Sequence, residues 1–424
     1  MVTSLKDFKV CIVGLGYVGL PLAVLTSKKY PVIGFDISAE RIKELKENID
    51  LSSELTKKEI ASSKISFTSN FEEIEDCNLF IVTVPTPIKK NNKPDLSSLK
   101  NASRLVGKKI SNGDLVVFES TVYPGVTEEI CFPIIQQESG LKINEGFFGG
   151  YSPERVNPGR EGKKLTEIVK VTSGSNRKSS ELIDKFYKSL IPAGTFKASS
   201  IQVAEASKVV ENIQRDLNIS LMNELSIIFG HLGLNTKDVI DASSTKWNFK
   251  KYMPGLVGGH CISIDPYYLA FKSLENGHIP DIILSARKLN EKMSSYISKR
   301  ILKGMKKKKI KLKKAKVLVL GYTFKEDCKD TRNTKVKDLA ENLKKKVSRL
   351  DIFDPLVLEA DKQRSELDFI TSPKKNFYDC IIIAVSHKVF LKKGINQIKN
   401  YGKKNAYFFD LKSSFDKKKV DDQL

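Results

Sequence analysis

The 424-residue chain is long enough for two or three domains, and its apolar content is ordinary for a globular protein. It carries 72 lysines and arginines against 50 acidic residues, a formal net charge of +22. The basic residues are scattered and no nucleic-acid-binding motif accompanies them, so we favour an anionic substrate over nucleic acid. No apolar run approaches the ~20 residues of a membrane span, which argues against an integral membrane protein.

The six cysteines lie far apart and form no CxxC pair, and the four histidines show no ligand spacing. This pattern argues for a reducing compartment and against both a disulfide framework and a zinc site. A strand begins within about ten residues of the first methionine, so no signal peptide is predicted. We therefore expect a cytoplasmic enzyme or binding protein.

The first apolar stretch, KVCIVGLG, is typical of a buried strand that runs into a helix. Gly14, Gly16 and Gly19 form a GxGxxG motif at this turn, with Tyr17 and Val18 between them. In such a motif the first glycine allows the tight turn and the second lets a pyrophosphate approach the backbone. The third lets the helix pack closely on the strand. We assign these five residues to cofactor binding.

A second strand, PVIGFDI, follows the first helix and ends at Asp36. A carboxylate about 20 residues after the glycines is suited to bind a ribose 2′-hydroxyl and would repel a 2′-phosphate. NAD is therefore predicted over NADP, although Arg41 nearby keeps NADP open.

The pattern continues as a doubly wound sheet through the strands LFIVTVPTP (79–87), DLVVFEST (114–121), FFGGYSPE (147–154) and IVKVTSG (168–174). Ligands bind such sheets at the carboxyl ends of the strands. Thr121 and Glu154 lie at these ends and are expected to face the cofactor. A turn residue or helix cap is an equally good interpretation of each one alone.

From about residue 203 to 232, apolar residues recur at helical spacing without a proline. We predict a long helix that joins two α/β parts and forms the interface of a homodimer or higher homo-oligomer. Lys208 and Asn212 are four residues apart and share one face, ~6 Å from each other. A buried functional lysine and a solvated lysine paired with Glu205 or Glu211 both stay open, and this stretch alone favours the second.

Cys261 follows a pair of glycines in PGLVGGHCISIDP, and Asp265 lies four residues after it. Glycines let the backbone approach a ligand and free its N–H groups for an anion. A thiol here can act as a nucleophile if its pKa falls from about 8.5. The alternative, a buried structural cysteine, fits the surrounding Gly, Pro, His and Asp residues less well.

A second α/β unit follows, with strands KVLVLGYTFK (316–325), RLDIFDP (349–355), YDCIIIAVSH (378–387) and AYFFDLKS (406–413). It lacks a complete GxGxxG and need not bind a second dinucleotide. Its first strand runs into TFKEDCKDTRNT, where Lys325 and Arg332 suit the phosphates and hydroxyls of a charged ligand. The predicted fold is α/β, with two Rossmann-like doubly wound domains joined by a long central helix.

The motifs together resemble the nucleotide-sugar dehydrogenases, the UDP-glucose and GDP-mannose dehydrogenase family. The resemblance runs nearly end to end. It rests on GLGYVGLPLA, VTVPTP, ESTVYPG, YSPERVNPG, EASKVVEN, GGHCISIDPYYL and TFKEDCKDTRNT. YSPERVNPG and the last two motifs look most like the branch that acts on UDP-N-acetylhexosamines in capsule and O-antigen synthesis.

The resemblance implies a four-electron oxidation of the sugar C6 alcohol to a carboxylate with two NAD and one water. It implies that Cys261 forms a thiohemiacetal and then a thioester, and that Lys208 and Asn212 stabilise the oxyanion. Asp265 would transfer protons or position water together with Thr121, and Glu154 is the other carboxylate candidate.

The resemblance also implies the ligand contacts. NAD would be held by the glycine turn, Asp36 and Arg41, by Thr86 and Thr121 at its nicotinamide half, and by Arg332. The UDP-sugar would contact Glu154, Arg155, Lys208, Asn212, Lys250, Gly258 and Lys325. We expect an NAD-binding domain at 1–199, a central dimerisation domain with the cysteine loop at 200–304, and a UDP-sugar-binding domain at 305–424.

The sequence departs from the family at two places. Pro158 stands where the glucose branch commonly has a second glutamate, so water activation rests on fewer carboxylates. Asp327 and Lys329 flank Cys328 where the N-acetylhexosamine branch more often has Asn and Pro. UDP-N-acetylgalactosamine and UDP-glucose stay open as substrates. From another class, a non-catalytic NAD- and sugar-binding regulatory subunit would not need Cys261, Lys208, Asn212 and Asp265 together.

Overall fold

The structure is a computed structural model that describes residues 4–50, 54–89, 91–156, 164–259 and 262–424. The chain forms two compact units. One comprises Met1–Glu211 with Tyr267–Ile279, and the other Asn212–Pro266 with Pro280–Leu424. Within the described ranges, no helix is long and apolar enough to cross a membrane.

The first unit is built on an eight-stranded sheet in the order β3-β2-β1-β4-β5-β6-β7-β8. The strands are β1 (Val10–Val13), β2 (Val32–Phe35), β3 (Ile65–Thr68), β4 (Leu79–Val82), β5 (Leu115–Phe118), β6 (Phe148–Tyr151), β7 (Lys170–Gly174) and β8 (Thr195–Lys197). Neighbouring strands run parallel except β6 and β7, which are antiparallel. Short runs of buried Val, Ile, Leu and Phe form the central strands because both faces of the sheet are covered.

The helices of this unit are α1 (Gly19–Thr26), α2 (Ala39–Lys46), α3 (Lys57–Ala61), α4 (Ser97–Lys109), α5 (Phe132–Ser139) and α6 (Arg177–Leu190). Their apolar faces bury a core with the sheet. The rings of Phe186 and Tyr187 of α6 meet edge to face in this core, and both are almost fully buried. The doubly wound arrangement brings the carboxyl ends of β1, β4 and β5 to one edge, where a ligand is expected.

A helical segment follows, with α7 (Ile201–Leu232), α8 (Thr236–Ser243), α9 (Asp265–Glu275) and α10 (Asp281–Lys307). The predicted long central helix is confirmed as α7, 32 residues in length. In the second unit, α10 buries Met293, Ile297, Ile301 and Met305 at helical spacing in the core of that unit.

The second unit is a six-stranded, all-parallel sheet in the order β11-β10-β9-β12-β13-β14. Its strands are β9 (Lys316–Leu320), β10 (Arg349–Phe353), β11 (Asp368–Phe369), β12 (Tyr378–Ile383), β13 (Gly402–Asp410) and β14 (Asp422–Gln423). The remaining helices are α11 (Lys335–Lys344), α12 (Glu359–Gln363), α13 (Lys388–Lys393) and α14 (Ile395–Lys399). The predicted fold of two Rossmann-like sheets with a long central helix is confirmed.

Candidate active site

The glycine motif forms the turn between β1 and α1. Gly14 has φ +96°, a left-handed conformation that favours glycine. A Cβ on Gly19 would lie 1.9 Å from the carbonyl oxygen of Gly14, so the helix packs against the turn at van der Waals contact. A Cβ on Gly16 would meet nothing within 4 Å, which leaves the backbone open to a ligand. Tyr17 and Val18 lie between them, just before α1 begins at Gly19. This geometry fits a pyrophosphate.

Asp36 and Arg41 both contact the backbone of Leu15, the residue between Gly14 and Gly16. Asp36 Oδ2 accepts a hydrogen bond from the Leu15 N–H at 2.8 Å, and Oδ1 accepts one from Ser38. Arg41 Nε donates to the Leu15 carbonyl at 3.0 Å, and its guanidinium pairs with Asp50 at 2.8 Å. Asp36 is half-buried at the carboxyl end of β2 and keeps an accessible carboxylate beside the glycine turn. These residues therefore fit NAD.

Thr86 and Thr121 are in contact, as expected if both line one ligand site. Thr86 Oγ1 donates to the Thr121 carbonyl at 2.6 Å. Tyr268 OH, from α9, donates to the Thr86 carbonyl at 2.7 Å and so fixes this loop from behind. Tyr268 belongs to the motif GGHCISIDPYYL, but the motif alone does not predict this contact.

Glu154 is buried after β6 and accepts a hydrogen bond from the Val156 N–H. Behind it lies an ionic cluster that the sequence did not reveal. Lys170 Nζ contacts Glu119 Oε2 at 2.6 Å and the Pro153 carbonyl at 3.1 Å, and Tyr187 OH donates to Glu119. Burial raises the pKa of Glu119 even though Lys170 lowers it. The cluster fixes the peptide that leads into Glu154.

Arg155, the next predicted substrate contact, is engaged by its own unit. Its Nη1 donates to the Val169 carbonyl at 2.8 Å, and Nη2 pairs with Glu211 at 2.5 Å. Pro158 lies outside the described residues.

Lys208 is buried in α7, with 8% of its surface exposed. The two acids considered as its partners are occupied elsewhere. Glu205 accepts the N–H groups of Gly125 at 2.6 Å and Thr127 at 2.9 Å, and Glu211 pairs with Arg155. Within the described part of the chain no ion pair involves Lys208. The solvated, paired lysine is therefore the weaker interpretation.

Glu205, from its sequence position only a possible partner for Lys208, has a different role in the structure. Its carboxylate caps the turn at the end of ESTVYPG, where it accepts the N–H groups of Gly125 and Thr127. Burial raises its pKa from an ordinary 4.5 to about 7. The N-terminal part of α7 is thereby held to the loop that carries Thr121.

Asn212 and Asp265 are brought together, although 53 residues separate them. Asn212 Nδ2 donates to Asp265 Oδ2 at 2.5 Å, and both side chains are buried. Asp265 is the first residue of α9. Lys208 lies one turn before Asn212 on α7, as the spacing predicts. His260 and Cys261 lie outside the described residues.

The loop before the cysteine is held by Asn223, which sequence reasoning missed. Its side chain exchanges two hydrogen bonds with the backbone of Gly255, at 2.8 and 3.0 Å. Gly258 lies against the carbonyl of Asn333, where a Cβ would approach to 2.7 Å. Only glycine fits this approach of two chain segments.

The three predicted cations of the second unit differ in setting. Lys250 is exposed with Nζ 5.9 Å from the Tyr252 ring, and Lys325 is half-buried with Nζ 5.5 Å from the Phe324 ring. Arg332 pairs with Asp330, Nη2 to Oδ2 at 2.6 Å. Across the described ranges there is no group of three or more His, Cys, Asp or Glu side chains that could hold a metal ion.

Sequence models of one family match three consecutive parts of the chain. They are the UDP-glucose/GDP-mannose dehydrogenase NAD binding domain at residues 8–191, the central domain at 202–292 and the UDP binding domain at 318–417. The chain belongs to the UDP-glucose/GDP-mannose dehydrogenase family. It is thus an NAD-dependent oxidoreductase with a UDP-binding domain, and the turn at Gly14 and the carboxylate of Asp36 belong to its NAD-binding domain.

Individual relatives cover almost the full length. The chain is 49% identical to a UDP-N-acetyl-D-glucosamine 6-dehydrogenase of Pseudomonas aeruginosa, over 99% of this chain and 100% of the relative. It is also 49% identical to a protein of the same name from Salmonella typhi, over 96% and 97% of the two chains. A solved UDP-D-ManNAc dehydrogenase from Pyrococcus horikoshii superimposes with a TM-score of 0.86 at 30% identity, covering 96% of each chain.

Proposed function

We propose that this protein oxidises the C6 alcohol of UDP-N-acetyl-D-glucosamine to the carboxylate, with two NAD and one water, for surface polysaccharide synthesis. The observation that carries the proposal is the 49% identity, over nearly the whole chain, to relatives named for this activity. The buried Asn212–Asp265 pair, one helical turn from buried Lys208, supports it because a binding protein has no use for such a group.

In the first half of the reaction the C6 alcohol loses a hydride and a proton and becomes an aldehyde. NAD, held by the glycine turn and Asp36, would supply the hydride acceptor in each half of the reaction. The Cys261 thiol then adds to the aldehyde: a C–S bond forms, and the thiol proton goes to the oxygen. This thiohemiacetal retains the aldehyde on the protein.

In the second half the thiohemiacetal carbon loses its hydride and the oxygen its proton, which leaves a thioester. Water adds to the thioester carbon, the C–S bond breaks and the thiol takes back its proton. Lys208 and Asn212 stabilise the negative charge on the C6 oxygen, since a buried cation and an amide N–H are strong donors to an oxyanion. Asp265, held by Asn212, accepts the proton of the attacking water, with Thr121 and Glu154 ordering that water.

The remaining predicted residues bind the two ligands. The glycine turn, Asp36, Arg41, Thr86 and Arg332 hold NAD. Arg155, Lys250, Gly258 and Lys325 contact the UDP-sugar. The domain boundaries at residues 199 and 304 remain part of this proposal.

The test counts NADH per sugar consumed with UDP-N-acetylglucosamine, UDP-N-acetylgalactosamine and UDP-glucose, for the wild type and Cys261→Ser. We expect two NADH per UDP-N-acetylglucosamine for the wild type and no release of acid by the variant. Cys328→Ser is the matched control and should complete the oxidation. One NADH per sugar, or a Cys261→Ser enzyme that still releases the acid, refutes the thioester route. A preference for UDP-N-acetylgalactosamine or UDP-glucose refutes the assignment of UDP-N-acetylglucosamine as the substrate.

A homodimer or higher homo-oligomer is also proposed, with α7 in the interface. Four apolar residues of α7 are each about half-exposed, namely Val203, Val210, Leu221 and Ile228. They are spaced 7, 11 and 7 residues apart, so they form one stripe along the helix, and such stripes are usually covered by another surface. Light scattering of Val210→Glu should give a smaller species than the wild type. An unchanged mass places the interface elsewhere.

A further inference from the structure

A buried histidine lies at the carboxyl edge of the second sheet. His387 follows β12 and is fully buried. Its Nε2 lies 3.0 Å from Asp354 Oδ2 and 3.3 Å from Thr323 Oγ1. Its Nδ1 lies 3.0 Å from the backbone nitrogen of Asp327, whose N–H points at it. Because a backbone N–H can only donate, Nδ1 is the acceptor, so the proton is on Nε2 and is donated to Asp354.

The residue that His387 binds has an unusual backbone conformation. Asp327 has φ +53°, in the left-handed region that side chains other than glycine rarely adopt. It is held on two sides, because its N–H donates to His387 and its Oδ1 accepts the N–H of Lys388 at 3.0 Å. Such conformations persist only where neighbouring structure holds them, and they are concentrated at ligand sites.

The same contacts fix the backbone around Lys325. Thr323 Oγ1 donates to the Lys325 carbonyl at 2.9 Å. Asp354 accepts the N–H groups of Tyr322 at 2.6 Å and Thr323 at 3.1 Å. The chain is therefore held on both sides of Lys325 before any ligand binds.

The segment also supports the loop that leads to the cysteine. Gly259 has φ +88°, and a Cβ there would lie 2.8 Å from the Phe324 ring. The Gly259 N–H and carbonyl both hydrogen-bond with Asn333, at 3.4 Å. Phe324, next to Lys325, thus forms the surface on which the glycine before His260 and Cys261 rests.

We propose that His387 is a positioning residue for nucleotide binding. It holds Asp327 in its left-handed backbone conformation and so fixes the segment 323–327. Lys325 then contacts the diphosphate of the nucleotide, and Phe324 supports the loop that leads to the cysteine. This inference rests on the proposed function only for the Lys325 contact. The UDP-binding domain itself, residues 318–417, contains every residue of the hydrogen-bond network. A histidine with a purely structural role would affect stability and leave nucleotide affinity unchanged.

Two substitutions test the hydrogen bonds of the two ring nitrogens of His387 separately. In His387→Asn the amide oxygen lies near the position of Nδ1 and can still accept from the Asp327 N–H. In His387→Gln the amide lies near Nε2 and can still donate to Asp354, but the Asp327 N–H loses its partner. Both variants remove the ring, but Asn is one methylene shorter than Gln and each variant leaves a different buried group without its partner. The stability of each variant is therefore measured separately from its UDP affinity.

Binding of UDP to the full-length chain is measured by calorimetry, with the unfolding midpoint as a separate readout. We expect His387→Gln to weaken UDP binding at least about tenfold, and His387→Asn by less than about threefold. In steady-state kinetics His387→Gln should raise KM for the UDP-sugar and leave KM for NAD unchanged. Equal UDP affinity in the two variants and the wild type overturns the proposal, whatever happens to the midpoint.

A second pair tests the left-handed residue directly. Asp327→Asn keeps an oxygen for the Lys388 N–H and tolerates positive φ, whereas Asp327→Ala does neither. UDP affinity should fall for Asp327→Ala and be kept by Asp327→Asn; an equal effect of both contradicts the inference. If these results hold but no sugar is oxidised, the dehydrogenase proposal fails and the positioning role stands. If sugar is oxidised and His387→Gln binds UDP normally, only the positioning role fails.

Discussion

The two sheets begin with the same backbone arrangement. Gly14 follows β1 and Gly321 follows β9, with φ +96° and +87°. Each glycine N–H donates to the carbonyl of the last residue of the neighbouring strand, at 2.8 and 3.0 Å. After that strand comes an aspartate, Asp36 or Asp354, which accepts the N–H of the residue that follows the glycine. The first strand, turn and second strand are thus equivalent in the two units.

The two aspartates differ in what else they bind. Asp36 is half-buried and accepts the N–H groups of Leu15 and Ser38. Asp354 is buried, accepts three backbone N–H groups and is covered by His387. Asp354 thus holds its own loop, whereas Asp36 is the aspartate that is proposed to bind NAD.

The largest effect should come from removing these carboxylates. Asp354→Ala leaves three buried N–H groups without acceptors, so we expect it to lower the free energy of unfolding by about 3–5 kcal/mol. Asp36→Ala leaves half-exposed groups that water can reach, at a cost of about 1 kcal/mol. Urea denaturation of both variants measures the difference. NAD affinity should fall about tenfold in Asp36→Ala, with UDP affinity unchanged. Equal losses of stability would mean that the two carboxylates are equivalent after all.

The loop after β5 in the first unit depends on an acid that titrates. The pKa of Glu205 is raised by burial to about 7, above its ordinary 4.5. The folded protein therefore holds this proton more tightly than the unfolded chain, so the stability contribution is present below about pH 4.5 and is lost as the pH rises through about 7. The loss is on the order of 3 kcal/mol.

Glu205→Gln removes this titration, and its unfolding free energy should fall less than that of the wild type between pH 5 and 8. Glu128, whose charge also raises the pKa of Glu205, is the control. Glu128→Gln removes that charge and should lower the pKa of Glu205 in the folded protein slightly. The loss of stability should then end at a slightly lower pH and be slightly smaller, but it should persist because the Glu205 carboxyl stays in place. Parallel pH curves for the wild type and Glu205→Gln would show that Glu205 does not titrate in this range.

The central strands of both sheets could be predicted because a buried parallel strand is a continuous apolar run. Four strands were not predicted, namely β3, β8, β11 and β14, which lie toward or at the sheet edges. They are short and mix polar with apolar residues, so they carry no such signal. The antiparallel direction of β7 was also not visible, because a strand's residues do not record its direction.

The candidate site was predictable where its residues sit in local motifs, as with the glycine turn and the pair Lys208 and Asn212. The residues that were missed act through distant partners. Lys170 meets Glu119 across 51 residues, and His387 meets Asp327 across 60. Each looks like an ordinary strand or loop residue until the fold brings its partner near. Sequence spacing cannot report such contacts.

The smallest effect on stability concerns Gly16 and Gly19, which have no glycine counterparts in the turn after β9. Counting from Gly14 and Gly321, the position of Gly16 is taken by Thr323 and that of Gly19 by Glu326. Gly19→Ala would place its Cβ 1.9 Å from the Gly14 carbonyl oxygen, so the helix must shift, and we expect a loss of about 1–3 kcal/mol. Gly16→Ala meets no atom within 4 Å and should leave stability unchanged.

Gly16→Ala should nevertheless weaken NAD binding about tenfold, because its methyl group stands where the pyrophosphate approaches the backbone. Fluorescence titration with NADH and denaturation of the two variants separate these effects. We expect Gly19 to be required for packing of the helix and Gly16 for binding of the ligand. Only Gly16→Ala should therefore lose NADH affinity while the protein keeps its normal stability. If Gly16→Ala bound NADH as the wild type does, the open backbone at this turn would not be the place of the pyrophosphate. The difference between the two units would then rest on Asp36 and Asp354 alone.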